Sequence, residues 1–196
     1  MDRRLDNIVE KIKKGEEFCV YESRDAYECL LETMGKWTEY NSLNPATDGD
    51  KQIALLKDLF GRTGDFLAVA PPFYCTIGKF ISVGDNLQCG SGVNIQDLGG
   101  VTIGDNVMIG PGTSISSSGH VTDWKRRIEG WSYAHPIVIG NNVFVGANSV
   151  ICSSQSRGVH IGDNAVIGAG SVVTQDIPAN VLAVGNPCRV VRRLDA

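Results

Sequence analysis

The chain predicts an all-β-dominated fold: a parallel β-helix of hexapeptide repeats with an N-terminal helical cap and one protruding loop. Three observations carry that reading. From residue 77 onward apolar residues recur every six positions, at Ile77, Val83, Cys89 and Ile95, at Ile103, Ile109 and Ile115, at Ile139, Val145 and Ile151, and at Ile161, Ile167 and Val173. A tetrapeptide of the form Ile/Val-Gly-Asp/Asn-Asn returns at 83–86, 103–106, 139–142 and 161–164. Glycine, at 23 of 196 residues, lies well above the usual ~7%. A six-residue apolar repeat gives one short strand and one turn per hexapeptide, with the apolar residue pointing into a prism. Three such units make a coil of about 18 residues, and one coil cannot bury its own interior, so several must stack. The Gly-Asp-Asn corners suit the positive φ that tight turns demand.

The N-terminal part follows a helical period instead. Leu5, Ile8, Val9 and Ile12 predict a first helix stopped by Gly15. Ala26, Tyr27, Leu30, Leu31, Met34 and Trp37 predict a second, from about Ser23 to Tyr40. Residues 41–50, rich in Asn, Pro, Asp and Gly, read as a loop. A third helix is expected from about Gly49 to Phe60, with Ile53, Leu55, Leu56, Leu59 and Phe60 as its apolar side. Pro71-Pro72 then imposes an extended entry. The expected organisation is a cap at 1–70, a β-helix at 71–185 from which 116–138 protrudes, and a basic tail at 186–196. The 116–138 stretch is too long and too polar for a coil, and long loops on rigid scaffolds are where function concentrates. A smaller bulge is expected at Ser153–Gly158.

Composition narrows the function. Eighteen Lys and Arg against 22 Asp and Glu give a net charge of −4, which argues against nucleic acid as a partner. No apolar run reaches the roughly 18 residues of a membrane span, so no membrane association is expected. The charged start Met1–Asn7 is not a secretory leader. The six cysteines, Cys19, Cys29, Cys75, Cys89, Cys152 and Cys188, form no metal-ligand spacing and read as reduced thiols of a cytoplasmic protein.

Several segments, in their order and spacing, resemble the galactoside and maltose O-acetyltransferases among the hexapeptide-repeat acetyltransferases. They are Pro71-Pro72-Phe73-Tyr74-Cys75, Val101–Val107, Gly119-His120, Pro136-Ile137 before Ile139–Val143, Ile161–Thr174, Asp176–Asn180 and Gly185–Arg189. The resemblance extends over nearly the whole chain. It implies a left-handed coil, acetyl transfer from acetyl-CoA to a hydroxyl, usually of a sugar, and a homotrimer with its sites between neighbouring prisms. It places His120 at the catalytic position, a role that suits imidazole because it titrates near neutral pH. His135 and His160 are not expected to act. The Ser116–Ser118 run reads as a small polar turn, since no Gly-x-Ser-x-Gly nucleophile motif is present.

For the donor, the resemblance implies a groove lined by Ala147, Ala169, Thr174, Arg189 and Arg192. Gly146, Gly168 and Gly170 would let pantetheine approach the backbone closely, and Arg189, Arg192 and Arg193 suit a CoA phosphate. For the acceptor, Thr76, Gly90, Asp97 and Trp131 fall at or beside family positions, yet the residue types depart from the family. Gly90 stands for an Asn, Leu98 for an Asp with Asp97 adjacent, Trp131 for a Glu with Glu129 nearby, and Thr76 for a Ser. The segment Gly15–Val20 lacks the family's Asp. Gly90, Leu98 and Trp131 therefore suggest a wider, more apolar acceptor pocket, and the acceptor is left as a sugar or other small hydroxyl compound. No metal is expected. Two other readings stay open here. One is a trimeric scaffold without catalysis. The other is a zinc hydratase of the carbonic anhydrase type, which would need three converging histidines.

Overall fold

The computed structural model describes residues 5–19 and 23–194. The Met1–Arg4 part of the charged start, Val20 of the acceptor-side segment, and Asp195-Ala196 of the tail lie outside the described residues.

Apolar residues facing inward at every coil strand draw the chain into a prism of about six turns. The first face stacks β4 (Ile81–Val83), β7 (Val101–Ile103), β12 (Ile137–Ile139) and β15 (Val159–Ile161). The second stacks β2 (Leu67–Val69), β5 (Leu87–Cys89), β8 (Met108–Ile109), β13 (Phe144–Val145), β16 (Val166–Ile167) and β18 (Val181–Val184), with β19 (Arg189–Arg193) antiparallel at its end. The third stacks β3 (Phe73–Cys75), β6 (Val93–Gln96), β9 (Ser114–Ser116), β14 (Val150–Cys152) and β17 (Val172–Val173). Neighbouring coils pair in parallel, with equivalent positions stacked in register, as Val83 on Ile103 and Ile103 on Ile139. The first coils repeat every 20 residues, not 18, as in Asn86 above Asn106. The two edges flanking the second face keep the six-residue step; the edge from the third face to the first carries every addition.

The recurring tetrapeptide builds the edge between the first and second faces. Asn86, Asn106, Asn142, Asn164 and Asn180 all sit near φ +57° to +59°, so the left-handed residue of this corner is the Asn and not the Gly. Their side chains form a ladder. Asn86 Nδ2 donates to Asn106 Oδ1 at 3.0 Å, Asn106 to Asn142 at 3.1 Å, Asn142 to Asn164 at 2.9 Å, and Asn164 to Asn180 at 2.8 Å. A second column runs beside it: the N–H groups of Asp85, Asp105 and Asn141 donate to Asp105, Asn141 and Asp163 Oδ1 at 2.7–2.8 Å. The preceding glycine is needed for clearance. A Cβ on Gly84 would lie 2.1 Å from Asp105 Oδ1, and one on Gly140 would lie 2.3 Å from Asp163 Oδ1.

The apolar ladder starts two residues before the six-residue count puts it. Cys75 pairs with Ile95 and faces inward, whereas Ile77 lies at the edge, packed with Leu5, Ile8, Phe18, Ala26, Cys29 and Ala134. Coil pairing also reaches back before residue 70, through β2 and an Arg62–Ser82 bridge.

The three cap helices form where expected: α1 (Asp6–Lys13), α2 (Arg24–Ser42) and α3 (Gly49–Leu59). Ser23 caps α2 by accepting from Ala26 N–H at 3.2 Å. The buried side of α2 coincides only in part with the apolar stripe. Ala26, Cys29, Thr33 and Tyr40 are buried, while Tyr27, Leu31 and Met34 are exposed. The lowest coil is an open sheet edge that needs polar partners, and α2 supplies them. Thr33 Oγ1 donates to Ile77 O at 3.0 Å, Tyr40 to Val69 O, and the Asn41 amide exchanges two bonds with the Phe73 backbone at 2.8 and 2.9 Å. All six cysteines are free. Among the described residues no helix is long and apolar enough to cross a membrane.

The ladder makes a stability ordering testable. Asn142→Gly keeps the positive φ but removes both side-chain bonds, and should cost about 1 kcal/mol. Asn142→Val adds left-handed strain of a further ~1–2 kcal/mol. Urea unfolding midpoints should fall in the order wild type, Gly, Val; equal midpoints for the Gly and Val variants would contradict the corner geometry.

Candidate active site

The edge between the third and first faces is where the chain departs from its period. Thr76–Phe80, Asp97–Gly100, Ser117–Pro136 and Ser153–Gly158 all leave the coils there. The expected protruding loop is therefore one of a stack of insertions, and it is ordered. It folds as an antiparallel hairpin of β10 (Ser118–His120) and β11 (Trp131–Ala134), with a short helix α4 (Trp124–Ile128) between them. On the far side of β11 lies β1 (Phe18–Cys19), completing a three-stranded sheet. Phe18 is fully buried and anchors that strap in the cap cluster.

Register sets the chemistry of the hairpin. His120 lies directly opposite Ser132, so the two side chains share one face. His120 Nδ1 stands 3.3 Å from the Trp131 carbonyl and 3.2 Å from Ser132 Oγ. A carbonyl only accepts, so this contact favours the proton of the neutral ring on Nδ1. Nε2 then carries the lone pair, has no partner among the described residues, and belongs to an exposed ring. Ser132 Oγ donates onward to Gly130 O at 3.2 Å.

A clasp holds the hairpin to its surroundings. Glu17 pairs with Arg126, whose guanidinium lies 4.4 Å from the centre of the Trp131 ring. Gln155 Nε2 donates to Glu17 at 2.7 Å, while Gln155 Oε1 accepts from Thr122 N–H and Oγ1 at 3.1 and 3.0 Å. His135 Nε2 reaches the Gln155 carbonyl at 3.0 Å, and His160 points outward from the first face. The histidines do not converge.

The expected acceptor residues divide. Asp97 departs from expectation: it is fully buried, and its carboxylate accepts from Thr76, Ile77 and Phe80 N–H at 3.1, 2.9 and 3.2 Å. Burial pushes its pKa up to about 6 against the opposing pull of those bonds. It is a staple of the insertion edge, and its burial keeps both oxygens from solvent. Leu98 is half-buried and packs against the cap cluster. Trp131 is half-buried beneath Arg126, and its contribution near His120 is a backbone carbonyl. Thr76 remains half-exposed beside the staple. Gly90 lies on the edge between the second and third faces, in a column with Gly110, Gly146 and Gly168. A Cβ on Gly90 would sit 2.6 Å from Pro111 N, and one on Gly146 2.4 Å from Ala169 N. Close stacking is thus one sufficient reason for these glycines. Gly90 also borders a groove of about 600 Å³, with Gln52, Ala68, Pro71, Met108 and Phe144 along it.

Of the expected donor residues, the small residues and the arginines lie apart from the hairpin, whereas Thr174 is on the same edge of the prism. Ala169 and Gly170 are exposed and Ala147 half-exposed on that same glycine edge, while Gly146 is buried. Thr174 follows β17, and Arg189, Arg192 and Arg193 form the exposed strand β19 at the end of the second face. In one chain His120 and the small-residue edge are separated by the whole third face. A second cavity, of about 490 Å³, lies under the cap beside Leu5, Cys29, Thr33, Lys36 and Ile77, and none of the expected site residues lines it. Among the described residues no three His, Cys, Asp or Glu side chains come together as a metal site.

Residues 136–175 match the family described as hexapeptide repeat of succinyl-transferase. The galactoside O-acetyltransferase of Escherichia coli K12 is 44% identical over 157 residues, 80% of this chain and 75% of its own. A solved galactoside acetyltransferase in complex with coenzyme A superposes with a TM-score of 0.89 at 40% identity, covering 95% of this chain and 90% of that one. A maltose O-acetyltransferase from Clostridium difficile 630 gives 0.89 at 34% identity, covering 95% and 97%. With the coil, the corner motifs and the His-bearing hairpin in place over the length these relatives share, the chain belongs to the galactoside and maltose O-acetyltransferase family of left-handed β-helix, hexapeptide-repeat acetyltransferases.

Proposed function

We propose that the protein moves the acetyl group of acetyl-CoA to a hydroxyl of a sugar or similar small acceptor, with His120 as general base, in a cytoplasmic homotrimer whose sites lie between subunits. The observation that carries this reading is the imidazole of His120, fixed through Nδ1 and open at Nε2. The coenzyme in the solved galactoside acetyltransferase supports the donor. The separation of His120 from the glycine edge supports a site completed by a second chain.

The chemistry needs one base. As the acceptor oxygen attacks the thioester carbon, its proton passes to Nε2. The carbonyl pair moves onto oxygen, giving a tetrahedral oxyanion. Collapse restores the carbonyl and breaks the carbon–sulfur bond, and the imidazolium returns its proton to the departing sulfur. The products are the acetyl ester and free CoA, with no acyl-enzyme. Gly146, Ala147, Ala169 and Thr174 would border the pantetheine, and Arg189 and Arg192 would meet a CoA phosphate. Thr76, Gly90 and Trp131 are the residues retained for the acceptor side.

His120→Ala should lower kcat by roughly 10²–10⁴-fold and leave the KM for acetyl-CoA nearly unchanged, read as thiol release with a panel of sugars and alcohols. His160→Ala should match wild type. A His120→Ala protein that assembles normally and acetylates at the wild-type rate would place the base elsewhere. Arg189→Ala and Arg192→Ala should weaken acetyl-CoA binding on the order of tenfold to a hundredfold. With 3′-dephospho acetyl-CoA that difference should vanish. An equal loss with the dephospho donor would show that these arginines do not read the phosphate.

A further inference from the structure

We infer that Ser132 is a positioning residue for the base, holding His120 in the tautomer and orientation that present Nε2 to the acceptor; this rests on His120 being the base. Ser132 is 5% exposed, on the central strand of the sheet β1–β11–β10. Phe18 pairs with it on one side and His120 on the other. A buried hydroxyl needs a partner for its proton and offers lone pairs in return. Here the partners set a direction. Gly130 O can only accept, so the Ser132 proton goes there, at 3.2 Å. The Ser132 oxygen is then left to accept, and the group facing it is His120 Nδ1, at 3.2 Å. The Trp131 carbonyl imposes the same polarity on the same nitrogen at 3.3 Å. Two acceptors on Nδ1 disfavour the Nε2–H tautomer, which would set a lone pair against the Trp131 carbonyl and draw the Ser132 proton away from Gly130 O. They also stop the ring from flipping, since the flipped ring would bring a carbon to both oxygens.

The reach of the effect comes from the strap. Ser132 cannot leave its place without breaking its pairing to both β1 and β10, and β1 is held by Phe18 in the cap cluster and by Cys19 Sγ, which donates to Glu129 O at 3.2 Å. The cap thus fixes the serine, and the serine fixes the imidazole. The carbonyl of Trp131 alone would constrain the ring by one bond and permit it to swing about that contact.

The test pairs two readouts on the intact protein. With ¹⁵N-labelled histidine, the nitrogen shifts of His120 should report the Nδ1–H tautomer in wild type and a mixture in Ser132→Ala. The kcat of Ser132→Ala should fall by roughly tenfold, the factor that one neutral hydrogen bond supplies, with the KM for acetyl-CoA unchanged. Ser132→Thr, which keeps the hydroxyl, should restore both. An unchanged tautomer in Ser132→Ala overturns the proposal whatever the rate does. A shifted tautomer with an unchanged kcat, alongside an inactive His120→Ala, overturns it also. If His120→Ala is active, the base assignment fails and the tautomer result alone judges whether Ser132 orients the ring.

Discussion

The coil-to-coil registry of the asparagine edge is the constraint on which the other features depend. Each Asn adopts a left-handed backbone and hands its amide to the next coil, so five successive coils are locked in one register from Asn86 to Asn180. The parallel column of Asp105, Asn141 and Asp163 accepts the N–H groups that the tight corner would otherwise leave without partners. A one-residue slip would turn every inward side chain outward. With that edge fixed, and the glycine edge fixed by backbone-to-backbone stacking, additions to the chain can leave only at the third edge. The hairpin that bears His120 is there for that reason.

The same constraint separates the parts of the site. The small-residue edge and the arginine strand follow from the regular coils, whereas His120 follows from the irregular insertion. A rigid third face stands between them. A single prism offers the His120 imidazole without the small-residue edge beside it, and under the proposed function a second prism supplies that edge. The strap β1 ties the cap to the hairpin, which gives the N-terminal helices a part in holding His120. Glu17, Arg126 and Gln155 add a polar clasp around the same point.

Much of this is legible in the residues because the period of six leaves little freedom. The strands, the corners and the three cap helices follow from spacing and turn chemistry, as does the loop expected at 116–138, which leaves the coils at Ser117 and returns by Ile137. Where pattern and structure part, a tertiary partner overrides the local signal. Ile77 fits the period but is claimed by the cap cluster, and Cys75 takes its place. Tyr27, Leu31 and Met34 form an apolar stripe, yet α2 turns Thr33, Tyr40 and Asn41 to the open coil because that edge demands hydrogen bonds. Asp97 looks like an acceptor ligand beside a functional loop, but three backbone N–H groups converge on it. Leu98 likewise belongs to the cap cluster. The hairpin and its pairing with Phe18-Cys19 leave no trace in the period, since each strand is too short to show alternation. Ser132 carries no signal at all, because its meaning lies only in the register that sets it opposite His120.

The most direct measurement is complementation between two variants, each damaged in one half of the site. His120→Ala removes the base, and Ala169→Trp fills the donor side at an exposed position of the glycine edge. Neither should acetylate alone. Co-assembled at equal ratio, random mixing of chains should restore about a quarter of the wild-type rate if base and donor edge meet across a subunit boundary. Activity no greater than that of the two parents, from mixed assemblies shown to contain both chains, would put the whole site within one chain and contradict the account.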